Sequence, residues 1–213
     1  MIAGRYRYVA IEGPIGAGKT SLTRRLAQHF NAHTLLERPE ANPFLERFYG
    51  DRARFALPTQ LFFLFQRVQQ LADVRQLDMF RAVLFADFLL DKDPLFARLT
   101  LADDELKLYE QILAQLRPQT PAPDLVIYLQ ASPETLADRV VRRGNPAEAR
   151  ISEEYLAALA NSYTRFFHQY DEAPVLIVNT EHLNPIDSDA DFHLLLDRIG
   201  KLRGRREYFN LAA

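Results

Sequence analysis

The chain has 213 residues and 48% of them are apolar, enough for one domain with a sizeable core. Its formal net charge of -2 argues against a surface made for non-specific nucleic-acid binding, which needs a basic face. There is no cysteine, so disulfides and thiolate metal sites are excluded, and a reducing cytosol is the expected compartment.

Residues 1–7 are short and polar with two arginines and no apolar stretch behind them, which reads against a secretory signal. Residues 8–11 form a buried β-type run that meets a glycine-rich loop. A helix is expected over 20–30, with Leu22, Leu26 and Phe30 at helical spacing. A short strand over 34–36 ends at Glu37, and the prolines and asparagine of 39–43 predict a turn. Pro58 suits the first turn of a long helix running to about Arg75. Its apolar stretch 61–65 is too short to span a bilayer, so no membrane association is expected. A third strand is expected over 82–86. Asp103 reads as the cap of a helix to about Leu116, ended by Pro118, Pro121 and Pro123. A fourth strand over 125–129 precedes a helix started by Ser132 and Pro133 and broken at Gly144-Asn145-Pro146. Ser152 opens a helix to about 170, 174–178 is a fifth strand, and 189–202 is a last helix.

Strands that alternate with helices predict a three-layer α/β domain: a five-stranded parallel sheet with helices on both faces. Ligands of such sheets sit beyond the carboxyl ends of the strands. That rule gathers the glycine loop, Glu37, Asp87 and the residues after Gln130 into one site.

The loop reads Gly13-Pro14-Ile15-Gly16-Ala17-Gly18-Lys19-Thr20, a match to G-x-x-x-x-G-K-[ST], with Ser21 next in the chain. Its glycines let backbone N–H groups turn in around phosphate oxygens, and the following helix points its positive end at the same anion. Lys19 would reach the outer phosphates, and the Thr20 hydroxyl is a magnesium donor. A chance glycine turn is the bland alternative, and the flanking strand and amphipathic helix argue against it. ATP is therefore an expected ligand.

Glu37 is either the carboxylate that takes a proton from a hydroxyl acceptor or a surface glutamate paired with Arg38. Arg139, Arg142 and Arg143, followed by Gly-Asn-Pro, read as a mobile lid carrying cations over the phosphates, or as a solvated helix face in a chain with 22 Arg and 4 Lys. In the long helix Phe62, Phe63 and Phe65 read mainly as core. Gln60 and Arg67 are two turns apart on one face, and an amide there suits the edge of a base.

Together these residues resemble the deoxynucleoside kinase family over nearly the whole chain. The most specific stretch is Glu37-Arg38-Pro39-Glu40-Ala41-Asn42-Pro43-Phe44-Leu45-Glu46-Arg47-Phe48-Tyr49, similar to the bacterial pattern E-P-V-E-x-N-P-[YF]-L. The resemblance implies that Glu37 is the catalytic base, with Lys19, Arg139 and Arg143 beside it in catalysis. It implies sugar contacts from Tyr49 and Glu148, base contacts from Gln60, Arg67 and Phe96, and a magnesium role for Asp87 with Thr20. It also implies one kinase domain with a lid at about 139–150, acting in nucleotide salvage on a purine deoxynucleoside, deoxyadenosine first, with deoxyguanosine and deoxycytidine open as alternatives. A homodimer formed through helices near 58–75 and 103–116 is implied as well.

The chain departs from the pattern where Asp87-Phe88-Leu89 stands for Asp/Glu-Arg-Ser. Lys92, one turn on, is the candidate to replace the lost charge, and Asp91 and Asp93 are both candidates to pair with Arg67. Asn145 occupies the place of a third lid arginine, for which Arg142 or Arg150 would compensate. Two other readings remain: a nucleoside monophosphate kinase such as thymidylate kinase, which needs no general base, and a nucleotide-sensing switch without an acceptor pocket.

Overall fold

The structure is a computed structural model that describes residues 4–76, 83–117, 121–146 and 148–211. Strand β1 (Tyr8–Glu12) leads into the glycine loop and helix α1 (Lys19–Phe30). Gly18, in a left-handed conformation, precedes that helix, and Asn31 at φ 49° closes it by donating its N–H to the last turn. Strand β2 (His33–Leu35) is followed by a 3-10 turn at Pro39–Ala41, helix α2 (Leu45–Gly50) and helix α3 (Arg52–Gln76). Then come β3 (Leu84–Ala86), a 3-10 turn at Leu90–Lys92, α4 (Asp93–Thr100) and α5 (Asp103–Leu116). The chain continues with β4 (Leu125–Gln130), α6 (Pro133–Arg143), α7 (Glu153–Gln169) and β5 (Val175–Asn179). Helix α8 (Asp189–Lys201) and strand β6 (Arg206–Phe209) complete it.

Six strands form one parallel sheet in the order β2-β3-β1-β4-β5-β6. The expected five-stranded sheet is thus corrected to six. Strand β6 is short, lies at the edge and leaves Tyr208 half exposed, so it lacks the apolar run that marks a buried strand. Side chains hold it in place: Arg206 donates to the carbonyls of Phe167 (3.0 Å) and Tyr170 (2.6 Å) at the end of α7.

Alternation along the strands divides the core. Val9, Ile11, Ile127 and Val178 face Leu22 and Leu26 of α1, Leu136 of α6 and Leu195 of α8. On the other face Tyr8, Leu84 and Ala86 pack against Leu64 and Leu71 of α3 and Tyr109 of α5. Also on that face, Val126, Tyr128 and Ile177 pack against Tyr163 and Phe167 of α7.

Two helices start as their serines predict: Ser132 and Ser152 each accept an N–H three residues on, at 3.2 Å, and Ser188, not singled out in the sequence, caps α8 in the same way. Two expected starts move. Asp103 is the first helical residue rather than the cap, and Glu105 reaches back to the Ala102 N–H at 3.3 Å. Helix α3 begins at Arg52, which leaves Pro58 inside it, where one backbone donor is lost. Of the three phenylalanines read as core, Phe63 is buried, Phe62 is half-buried and Phe65 is 52% exposed. Pro118 and Ala82 lie outside the described residues. No helix among the described residues is long and apolar enough to cross a membrane.

Leu22 is fully buried between α1 and the sheet. Leu22→Ala is expected to lower unfolding free energy by about 2–5 kcal/mol in urea titration, while a loss below about 1 kcal/mol would mean that the site collapses to fill the void.

Candidate active site

The carboxyl ends of β1, β2, β3 and β4 converge on the glycine loop. Gly16 sits at φ 87°, and a Cβ there would meet the Leu136 carbonyl at 2.7 Å. A Cβ on Gly13 would meet the Leu129 carbonyl at 2.6 Å, so the loop backbone rests directly on β4 and α6. Lys19 folds over the loop and donates to the carbonyls of Gly13 (2.8 Å) and Pro14 (3.1 Å). Burial, and then the Lys92 charge, bring its pKa down to about 8.

Below the loop lies a cleft of about 410 Å³. Ile15, Gly16, Gly18, Lys19, Thr20 and Ser21 form its roof. Glu37, Tyr49, Gln60, Arg67, Asp87, Phe96, Arg143 and Glu148 line the rest, so residues far apart in sequence do meet. Gly13, Pro14 and Ala17 support the loop from behind and do not line this cleft.

Charged groups in the cleft are wired together. Arg67 from α3 pairs with Glu37 beyond β2, its Nε lying 2.8 Å from Oε1, and with Asp93 at the start of α4. Asp91 points elsewhere and pairs with Arg117 at 2.5 Å, so Asp93 is the partner of Arg67. The alternative pairing of Glu37 with Arg38 is not formed; Arg38 is exposed and its N–H meets Gln66. Burial raises the Glu37 pKa, but Arg67, Lys92 and Lys19 outweigh it and hold the carboxyl at about 2. Burial dominates at Asp93 and pushes its pKa up to about 6 despite Arg67. Asp87 accepts the Thr20 hydroxyl at 2.6 Å and the Glu37 N–H at 2.7 Å, which fixes the loop to the end of β2. Asn42, buried at 6% exposure, donates to the Thr59 carbonyl (3.2 Å) and accepts the Phe44 N–H (3.0 Å), docking the proline turn on α3.

Gln60 is buried, and its amide nitrogen lies 3.5 Å from the Thr100 hydroxyl, leaving its oxygen to accept from a ligand. Phe63, with the Arg67 guanidinium 5.0 Å above its ring, and Phe96 give the same region two aromatic faces. Tyr49 and Tyr155 line the cleft with Glu148, and burial pushes the Tyr155 phenol up to about 12. Glu148, in a one-turn helix at Glu148–Arg150, accepts from Arg143 at 2.9 Å.

Arg139 lies apart from this cleft. It donates to the Thr180 hydroxyl (2.9 Å) and carbonyl (2.6 Å) beyond β5. There it lines a second cleft of about 650 Å³ with Arg142, Arg143, Gly16, Gly18 and residues 180–187. The two clefts share Gly16, Gly18, Ser21 and Arg143, so the glycine loop is the ridge between them.

The sequence left several site residues unread. Glu12 is fully buried at the end of β1, and Phe63, Tyr155 and Thr180 line the clefts. A signal for Glu12 existed: one acid ending an otherwise apolar buried strand must find partners, because a buried unpaired charge is costly.

A family model, deoxynucleoside kinase, matches residues 9–202. The chain belongs to the deoxynucleoside kinase family. The kinase is 34% identical over 200 residues to a deoxyguanosine kinase of Bacillus subtilis (strain 168), covering 92% of this chain and 97% of that one. It is 29% identical over 210 residues to a deoxyadenosine kinase of Lactobacillus acidophilus, covering 92% and 96%. Among solved structures it resembles the deoxyadenosine kinase from M. mycoides with bound dATP, with a TM-score of 0.79 and 25% identity over 91% of this chain and 100% of that one. The enzyme is an ATP-dependent deoxynucleoside kinase.

Arg67→Met removes the partner of two carboxylates at once. Glu37, depressed to about 2 from 4.5, stabilises the fold above pH 4.5 and loses that contribution as pH falls toward 2. Asp93, raised to about 6 from 3.8, opposes folding increasingly as pH rises from 3.8 through 6. Without Arg67 both carboxyls shift upward, so the variant is expected to lose about 3–5 kcal/mol at pH 8 and much less at pH 5 in urea unfolding. An equal loss at the two pH values would contradict this coupling.

Proposed function

We propose that the kinase transfers the γ-phosphoryl of ATP to the 5′-hydroxyl of a purine deoxynucleoside, in nucleotide salvage. The observation that carries this is an ionised carboxylate, Glu37, held under the phosphate loop in a cleft of nucleoside size. The nucleoside lies in the first cleft, with its base between Phe96 and Phe63 and its edge on Gln60 and Arg67. Tyr49 and Glu148 take the sugar. ATP drapes its phosphates over the loop and puts its own base in the second cleft, so the two substrates meet at the shared ridge.

Glu37 accepts the 5′-hydroxyl proton. A loose transition state demands little of the base, so permanent ionisation matters more than basicity. Loop N–H groups, Lys19 and Arg143 stabilise the transferring charge. To do so Lys19 exchanges its loop carbonyls for phosphate oxygens, and Arg139 leaves Thr180 for the phosphates. The segment at about 139–150 acts as the lid of a single domain, releasing Glu148 from Arg143 toward the sugar.

Magnesium fits the residues present. Thr20 and Asp87 offer hard oxygen donors side by side, 2.6 Å apart, at the loop. No cluster of three or more His, Cys, Asp or Glu among the described residues could hold a metal, which suits an ion carried mainly by phosphates and water. When bound with the triphosphate, the ion neutralises phosphate charge. We further infer a cytosolic homodimer joined through α3 and α5, where Phe65 and Leu108 are exposed at 52% and 47%.

Deoxyadenosine is the first choice of substrate: the free Gln60 oxygen can accept from the adenine amino group, and the second N–H of its amide can donate to the neighbouring ring nitrogen. Deoxyguanosine is the second, favoured by the substrate of the 34%-identical relative. Activity with the four natural deoxynucleosides distinguishes them, and thymidylate as the only acceptor would overturn the assignment.

Glu37→Gln is expected to bind nucleoside normally and to lose kcat by about 100-fold or more in steady-state assays. Turnover within about fivefold of the parent would remove Glu37 from proton transfer. Gln60→Ala is expected to raise KM for the nucleoside about tenfold or more with little change for ATP, and equal effects on both would count against base reading.

A further inference from the structure

Lys92 is a buried lysine that the reaction above does not use. Its side chain is 2% exposed, yet it lines the acceptor cleft. The ammonium lies 3.0 Å from Glu12 Oε1 and 3.8 Å from Glu37 Oε1. Apart from Arg67, it is the cation paired with Glu37 among the described residues.

Glu12 does not need Lys92 for its hydrogen bonds. Its Oε2 accepts the Gly13 N–H at 3.0 Å and the Tyr163 hydroxyl at 3.1 Å, and its Oε1 accepts the Leu89 N–H at 2.6 Å. One carboxylate thus fixes the first residue of the phosphate loop, the start of the turn that carries Lys92, and Lys92 itself. The ammonium has three donors, and Glu12 takes one. Glu37 Oε1, at 3.8 Å, is beyond hydrogen-bond distance, and the side chain borders the cleft with the Phe96 ring centroid 6.0 Å from the ammonium, on the side where the reacting oxygen would lie. The cation is thus desolvated, makes one hydrogen bond and has donors to give to a group bound beside Glu37.

We propose that Lys92 is a catalytic residue that binds the acceptor 5′-oxygen as Glu37 removes its proton, and that Glu12 is the positioning residue that holds Lys92 there. This rests on the reading of Glu37 as the proton acceptor. The O–H bond breaks and its proton goes to Glu37. The oxygen bonds to the γ-phosphorus while the bond from that phosphorus to the β-phosphate oxygen breaks, and its electron pair leaves with ADP. Lys92 keeps its protons throughout and stabilises the charge that gathers on the attacking oxygen. It also stabilises the ionised form of Glu37.

Lys92→Met alone strands a buried glutamate, so the decisive variant is Glu12→Gln/Lys92→Met, which removes both charges. It is expected to fold, with nucleoside binding retained and KM for ATP within about threefold, and to lose kcat about 100-fold, the scale for one lost transition-state donor. The acid limb of its kcat–pH profile is expected to move to higher pH, since Lys92 lowers the Glu37 pKa. Glu12→Gln alone is expected to lower kcat about tenfold at unchanged KM for ATP. A rise in that KM with kcat intact would instead assign Glu12 to loop folding. A double variant within about fivefold of parental kcat, with an unmoved acid limb, would overturn the role of Lys92. Glu37→Gln assayed in parallel separates the two claims. If it is inactive while the double variant is normal, the Lys92 inference alone fails; if it is active, the proton-acceptor reading fails.

Discussion

Arg67 holds the site together. It leaves the middle of α3, pairs with Glu37 beyond β2 on one side and with Asp93 at the head of α4 on the other, and is itself almost fully buried. Such an arrangement adds little net stability, because taking ions out of water costs about as much as their pairing returns. What it supplies is position. Three elements that no apolar contact would align to hydrogen-bond accuracy are fixed by one planar guanidinium with donors in a fork. In the proposed reaction the same guanidinium touches the nucleobase and sets the charge of the proton acceptor. Base recognition and proton transfer are thereby electrically one unit.

The parallel sheet provides the frame. Glu12 ends β1, and Asp87 and Glu37 sit just past β3 and β2; two of these carboxylates accept backbone N–H groups, Glu12 from Gly13 and Leu89 and Asp87 from Glu37. Carboxylates that accept backbone donors stay where the backbone puts them. The site is therefore rigid on its inner side, while the arginines of α6 rest on Thr180 and Glu148, partners that a bound triphosphate can replace.

Much of this was legible in the sequence, for local reasons. A glycine loop between a buried strand and an amphipathic helix has one common use, and the serine caps of α6 and α7 lie where their sequences put them. Gln60 and Arg67 share a face because seven residues make two turns. What was not legible depended on pairing at a distance. Spacing alone could not choose between Asp91 and Asp93 for Arg67; the answer came from Arg117 claiming Asp91. Strand β6 was missed because its hold on the sheet comes from Arg206 and the end of α7 rather than from an apolar pattern. Pro58 suggested a start that tertiary packing overrode, and Phe65 suggested core where α3 turns outward. Glu12 was the largest omission, since its meaning lies in four partners drawn from three parts of the chain.

The scarcity of lysine has a chemical consequence. Of the four lysines, two are in the cleft, and Lys107 and Lys201 lie on the surface. Burial brings the Lys19 amine down to about 8, so near neutral pH it is deprotonated far more often than an ordinary surface lysine. Aldehydes and activated esters react with the free amine. Among the lysines, the one at the phosphate loop is therefore the most readily deprotonated, and a bound triphosphate, by favouring its charged form, would suppress that reactivity.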